Sequence, residues 1–134
     1  MPRKLAIKSK IERARRFAER LKDELGEQLN TVVLYDWVFG DEKEDFDIEL
    51  VILTEQRDRE VEDIVSKIAG EMEFESNYDT ILTPTVRDKD EFKRRIKTGS
   101  PLEGELLAEG YVVYDDGFLS WLRRSELAAG QRNA

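Results

Sequence analysis

TVVLYDWVFGDEKEDFDIELVILTE, residues 31–55, consists of two apolar runs, Val32 to Phe39 and Phe46 to Leu53, joined by a charged turn that begins at Gly40-Asp41. Both runs are rich in β-branched and aromatic residues, which predicts a strand, a turn and a second, antiparallel strand. The second run carries two acids, Asp47 and Glu49, on either side of Ile48. Successive strand side chains alternate faces, so these two carboxylates point the same way. Two readings follow. Neighbouring carboxylates repel unless a cation sits between them, which makes the pair a candidate metal site. Equally, Asp47 and Glu49 are what the wet face of a half-exposed strand shows when Phe46, Ile48 and Leu50 face a core.

Composition narrows the chemistry. The chain has 134 residues, the size of one domain with a real core, and contains neither Cys nor His. Thiol chemistry, disulfides, imidazole bases and ordinary zinc sites are thereby excluded. A metal here needs oxygen ligands, which favours Mg²⁺, Mn²⁺ or Ca²⁺, and acid–base work falls to Asp, Glu, Lys or Tyr. The net charge of −8 argues against a protein that coats nucleic acid. No apolar run reaches the ~20 residues of a membrane span, and Met-Pro-Arg-Lys leads into no apolar signal core. The expectation is a cytoplasmic protein, and the 39% charged residues point towards a thermophilic source.

Working outward, residues 3–29 predict a long amphipathic helix, with Ile7, Ile11, Ala14, Ala18, Leu21 and Leu25 on one face and Gly26 as an earlier stopping point. Arg13, Arg15, Arg16, Arg20 and Lys22 form a basic run on it, read as a solvated face or as a patch for an acidic partner. The heptad-like spacing also suits an interface, a homodimer included. Asp58 predicts an N-cap for a helix with Val61, Ile64, Val65, Ile68 and Met72 inward. Tyr78 to Thr83 predicts a third strand closed by Pro84. Asp88 caps a short helix holding Phe92 and Ile96. Ser100-Pro101 with Glu103 starts another, whose inner face is Leu102, Leu106 and Leu107. Tyr111 to Tyr114 reads as a fourth strand. Phe118, Trp121 and Leu122 belong to a last helix, and Gly130 to Ala134 to a frayed end. The fold class expected is α+β, a mixed sheet with helices packed on one side.

These segments resemble the minimal nucleotidyltransferases, small relatives of the catalytic domain of the DNA polymerase beta superfamily. Val32-Val33-Leu34 matches the family's first strand, Gly40-Asp41 its turn, and Asp47-Ile48-Glu49-Leu50 its acid strand. YDTILTPTVRDKDEF and SPLEGELLAEGYVVYDD are similar to its later segments, so the likeness covers most of 30–116. It implies one nucleotidyltransferase-like domain over 1–134, with an N-terminal helix 3–29, a core 30–116 and a C-terminal helix 117–129. It also implies Mg²⁺ held by Asp47, Glu49 and Asp79, which are the catalytic residues of nucleotidyl transfer from a nucleoside triphosphate. Tyr35, Asp36 and Gly40 fall at the nucleotide-binding positions. Phosphoryl-type transfer needs charge neutralisation and in-line positioning, which is what such a metal centre supplies.

The sequence departs from that pattern where phosphate would be gripped. Tyr35-Asp36 occupies the Gly-Ser position, Trp37 and Phe39 the places of turn arginines, Phe46 that of a serine, and Glu49 that of the second Asp. A carboxylate at position 36, some 5 Å from a phosphate, disfavours it by about 3 kcal/mol per unneutralised charge at an effective dielectric near 20. The alternative implied by the resemblance is a catalytically inactive binding module, such as the antitoxin-like partner of a small helical protein.

Overall fold

The computed structural model describes residues 3–35 and 47–132; Asp36, Trp37, Phe39, Gly40, the acidic turn 41–45 and Phe46 lie outside them. In chain order the elements are α1 (Arg3–Leu25), a 3₁₀ turn (Gly26–Gln28), β1 (Leu29–Leu34), β2 (Asp47–Thr54), α2 (Arg59–Glu75), β3 (Ile81–Asp88), α3 (Lys89–Lys97), α4 (Pro101–Glu109), β4 (Tyr111–Asp115) and α5 (Phe118–Arg132). The sheet order is β3-β2-β1-β4. β1 runs antiparallel to β2 and to β4, while β3 runs parallel to β2, as a strand returning through the α2 crossover must. The class is α+β with a mixed sheet, as the sequence indicates.

Local chemistry explains the boundaries. Gly26 sits at φ +57°, a left-handed residue that stops α1 at Leu25, short of residue 29. Leu29 to Thr31 therefore open β1 instead of closing the helix, and all three are buried. Asp58 caps α2 by accepting the Val61 N–H at 2.9 Å, and Asp88 caps α3 by accepting those of Asp90 and Glu91. α5 continues through Gly130 to Arg132, past the end expected at 129.

β3 is the main correction to the elements. It starts at Ile81 and runs through Pro84, which lies beside Leu50 in mid-strand. β3 is an edge strand, and the neighbouring Leu82 N–H turns outward to Glu73 Oε2 at 2.9 Å. Pro84 shares that parity, so its missing N–H removes no ladder bond.

The sheet is covered on both faces, not on one side as the sequence reading expects, because β1 and β2 turn apolar side chains both ways and each set needs a layer of helices. α1 and α2 form one layer, burying Phe17, Leu21, Val65 and Ile68 against Val32, Leu34, Ile48, Leu50 and Ile52. Complete burial of each such side chain contributes about 1.5–3 kcal/mol. The three shorter helices add a second layer: Phe92, Leu106, Leu119 and Leu122 pack on Val33, Val51 and Leu53. In α5 it is Leu119 that faces the core with Leu122, while Trp121 is exposed; in α4 Leu102 is exposed. Gly110 lets α4 turn into β4 at close quarters, since a Cβ there would stand 2.5 Å from Val33 Cγ1 and 2.6 Å from the Leu106 carbonyl oxygen.

Four of the five residues in the basic run of α1 make contacts within the molecule. Arg13 donates to the buried Thr80 hydroxyl, Arg15 to the Tyr111 hydroxyl, and Arg20 to both Glu71 and Glu75. Lys22 reaches the Gly26 carbonyl and lies over the Tyr114 ring. These contacts tie α1 to α2, to the start of β3 and to β4.

Candidate functional site

Ile48 and Leu50 are fully buried under α1 and α2, so the alternation of β2 turns Asp47 and Glu49 to the opposite face, where both are half-buried. The sequence reading of their shared face is correct. Tyr35 follows β1, and its N–H donates to the Glu49 carbonyl at 3.1 Å, extending the pairing beyond Leu34. On the other flank, Ile81 of β3 stands beside Asp47 and Thr83 beside Glu49.

Asp79 is not on β3. It is exposed, in a bend two residues before the strand, and its N–H donates to the Ser76 carbonyl at 3.2 Å. The strand begins later than the β-rich sequence suggested because α2 ends in two successive left-handed residues, Asn77 (φ 58°) and Tyr78 (φ 60°). Those residues use up the stretch that had read as extended. Among the described residues no three acidic side chains group closely enough to hold a metal ion. Asp47 and Glu49 therefore offer two ligand groups from one strand, and the donor set does not fit a magnesium centre built on Asp47, Glu49 and Asp79. Of the nucleotide-binding positions, Tyr35 is half-buried, while Asp36 and Gly40 are outside the described residues.

Beyond Glu49 on the same face lies a cleft of about 70 Å³ lined by Tyr35, Thr85, Arg87 and Glu103 over an apolar floor of Val51, Phe92 and Leu106. Glu103 is buried and accepts a hydrogen bond from the Ser100 hydroxyl. Arg87 donates to the Val86 carbonyl at 3.3 Å. Neither residue stood out as a site residue in the sequence. The S-x-x-E spacing of Ser100 and Glu103 was read as a helix start, which it is, but that spacing does not reveal burial.

The far end of β2 holds a second group of carboxylates. Asn30, buried in β1, donates through Nδ2 to Glu55 Oε2 at 2.6 Å and to Asp116 Oδ2 at 2.8 Å. Lys89 Nζ lies 2.8 Å from Glu55 Oε2. The bond from Lys89, then that from Asn30, holds the Glu55 carboxyl below its ordinary value against the effect of burial. Asp115 accepts from the Thr31 hydroxyl at 2.9 Å, the Leu119 N–H at 3.0 Å, and the Ser120 N–H and hydroxyl at 3.1 and 2.8 Å. Burial pushes the Asp115 carboxyl up, but these four donors together outweigh it and hold it low.

No protein-family model matches the chain, and no curated protein matches it. Among solved structures it is similar to the crystal structure of a toxin-antitoxin with AMP-PNP, at 10% identity and a TM-score of 0.47, covering 88% of this chain and 87% of the other. Among the described residues no helix is long and apolar enough to cross a membrane.

Proposed function

We propose that this chain is a partner-binding module on a nucleotidyltransferase-like fold, without nucleotidyl transfer of its own. The observation that carries this reading is the flank of the acid pair. The β3 positions beside Asp47 and Glu49 are Ile81 and Thr83, and Asp79 stands apart in an exposed bend. Phosphoryl transfer depends on metal-borne neutralisation of the phosphates, and two carboxylates from one strand supply only part of such a centre. The fold supports the family reading through its antiparallel β1–β2 pair with the acids at the start of β2. The substitution of Tyr35-Asp36 for Gly-Ser supports the loss of the nucleotide.

The test is calorimetry of the native chain with ATP and GTP in Mg²⁺. The repulsion at Asp36 and the missing hydroxyl donor together weaken binding by on the order of a thousandfold relative to an intact Gly-Ser site. No micromolar binding is expected, with or without Tyr35→Gly and Asp36→Ser, because among the described residues no third carboxylate joins Asp47 and Glu49. Tight binding by the native chain, with transfer of a labelled nucleoside monophosphate, returns the enzyme reading with Asp47 and Glu49 as metal ligands.

A further inference from the structure

Among the described residues Glu103 is the one charged side chain that the fold buries, with 4% of its surface exposed. A carboxylate taken out of water needs several donors or a cation. Asp115, only partly buried, has four donors; Glu103 has one, the Ser100 hydroxyl on Oε1. Oε2 accepts no hydrogen bond, and no ion pair reaches the residue. Helix capping does not account for this. In a capping box the glutamate accepts the N–H of the cap residue. The Ser100 N–H donates instead to the Arg95 carbonyl at 3.0 Å, and the Ser100 hydroxyl accepts no N–H of α4. Asn30 Oδ1 is the one sealed side-chain atom without a partner among the described residues, so Glu103 Oε2 reaches open space, and the cleft is the space that Glu103 lines.

The same cleft holds the opposite charge. Arg87, half-buried on β3, makes its one hydrogen bond to the Val86 carbonyl, which leaves most of its guanidinium N–H donors unused. No ion pair joins it to Glu103. Two opposite charges that line one cleft without meeting complement a ligand that carries both. We propose that this cleft binds a small zwitterion of the α-amino-acid class, its ammonium on Glu103 Oε2 and its carboxylate on the Arg87 guanidinium, whose planar fork suits a carboxylate. A simple anion would meet the Glu103 carboxylate, and a simple cation the Arg87 charge. Size sets a further limit. The volume of about 70 Å³ is little more than twice the roughly 30 Å³ that one water takes in the liquid, so the ligand is compact. A short aliphatic side chain would lie on the floor of Val51, Phe92 and Leu106. The ligand would tie α4 to the edge strand β3 and so stabilise the fold. This site goes beyond the partner-binding reading above and does not depend on it.

Titration of the native chain with a panel of standard amino acids tests this, read by amide chemical shifts and by the rise in melting temperature. Small aliphatic members such as alanine are expected to bind and to raise the melting temperature, and tryptophan is not. Acetate, methylamine and N-acetylalanine each lack one of the two charges and should bind at least about tenfold more weakly than alanine. Glu103→Gln and Arg87→Gln should each weaken alanine binding by about tenfold or more. Trp121→Ala, an exposed aromatic on α5 that does not line the cleft, should leave it unchanged. Thermal unfolding without ligand checks that each variant folds. It also separates a ligand group from a structural one, because Glu103→Gln removes an under-paired buried charge and should melt no lower than the native chain. A lower melting temperature for Glu103→Gln overturns the proposal by making the carboxylate structural. So does the absence of binding across the panel, binding of acetate or methylamine as tight as that of alanine, or equal binding of alanine by the Glu103 and Arg87 variants.

Discussion

Both ends of β2 carry carboxylates, and the two ends set them in different surroundings. At the C-terminal end, Glu55 is held by Asn30 and Lys89, Asp116 by Asn30, and Asp115 by Thr31, Leu119 and Ser120. At the N-terminal end, Asp47 and Glu49 stand beside Ile81 and Thr83, and Asp79 lies in an exposed bend next to a strained tyrosine. One end is an internal network that joins β1, β2, α3, β4 and α5. The other sets two half-buried acids of one strand against the edge strand β3. Carboxylates surrounded by fixed donors serve stability, because those donors were placed by folding. Asp79, exposed next to Tyr78, lies outside that network.

The comparison breaks most readily at Asn30. Its Nδ2 serves two carboxylates, and a hydrogen bond to a charged group contributes about 1.5–3 kcal/mol. Its Oδ1 is buried with no hydrogen-bond partner among the described residues, which offsets part of that gain. Asn30→Ala is expected to lower stability by about 2–3 kcal/mol in urea denaturation. A loss below about 0.5 kcal/mol would show that the network is incidental.

Acid titration probes the same end. Glu55 and Asp115 are both held below their ordinary values, so they stabilise the fold above those values and the contribution is lost as pH falls. Stability should begin to fall below 4.5, the ordinary value for Glu55, with Asp115 adding to the fall below 3.8. Asp115→Asn should flatten the lower part of that profile. It should also cost about 1–2 kcal/mol near neutral pH, because the first N–H groups of α5 lose a charged acceptor. An unchanged acid profile in the variant would count against the four donors as the cause.

At the other end the signs reverse. Tyr78→Gly relieves a left-handed backbone at an exposed position and is expected to stabilise by about 1 kcal/mol, measured by thermal unfolding. A side chain whose removal stabilises the fold is one the fold does not require. Destabilisation instead would mean that the contact with Phe74 outweighs the strain. The smallest effect belongs to Asp47→Asn and Asp79→Asn, each expected to change stability by less than about 0.5 kcal/mol.

How far the sequence could be read follows the same division. The alternation in Phe46 to Leu53 placed Ile48 and Leu50 inward and Asp47 and Glu49 outward, because strand geometry ties each side chain to a face. The caps Asp58 and Asp88 were legible because a cap acts over three residues. The Tyr78 to Thr83 stretch misled. Its β-rich composition favoured a strand, but the close of α2 imposed two left-handed residues and moved β3 to Ile81, leaving Asp79 outside the sheet. Nor could Trp121 be told from Leu119 as the core residue of α5. Both lie in one short helical repeat, and only the packing of α5 on β1 chooses between them.

By itself, then, the sequence determined what depends on neighbours along the chain: the α+β class, the helix caps, and the shared face of Asp47 and Glu49. Tertiary structure alone decided what depends on partners far apart in sequence. It set Ile81 instead of an acid beside Asp47, and joined Asn30 to Glu55 and Asp116. It also put Glu103 in a buried cleft wall and left Phe74 and Tyr78 uncovered. The physical reason is that register and packing fix which distant groups meet, and no local pattern carries that information.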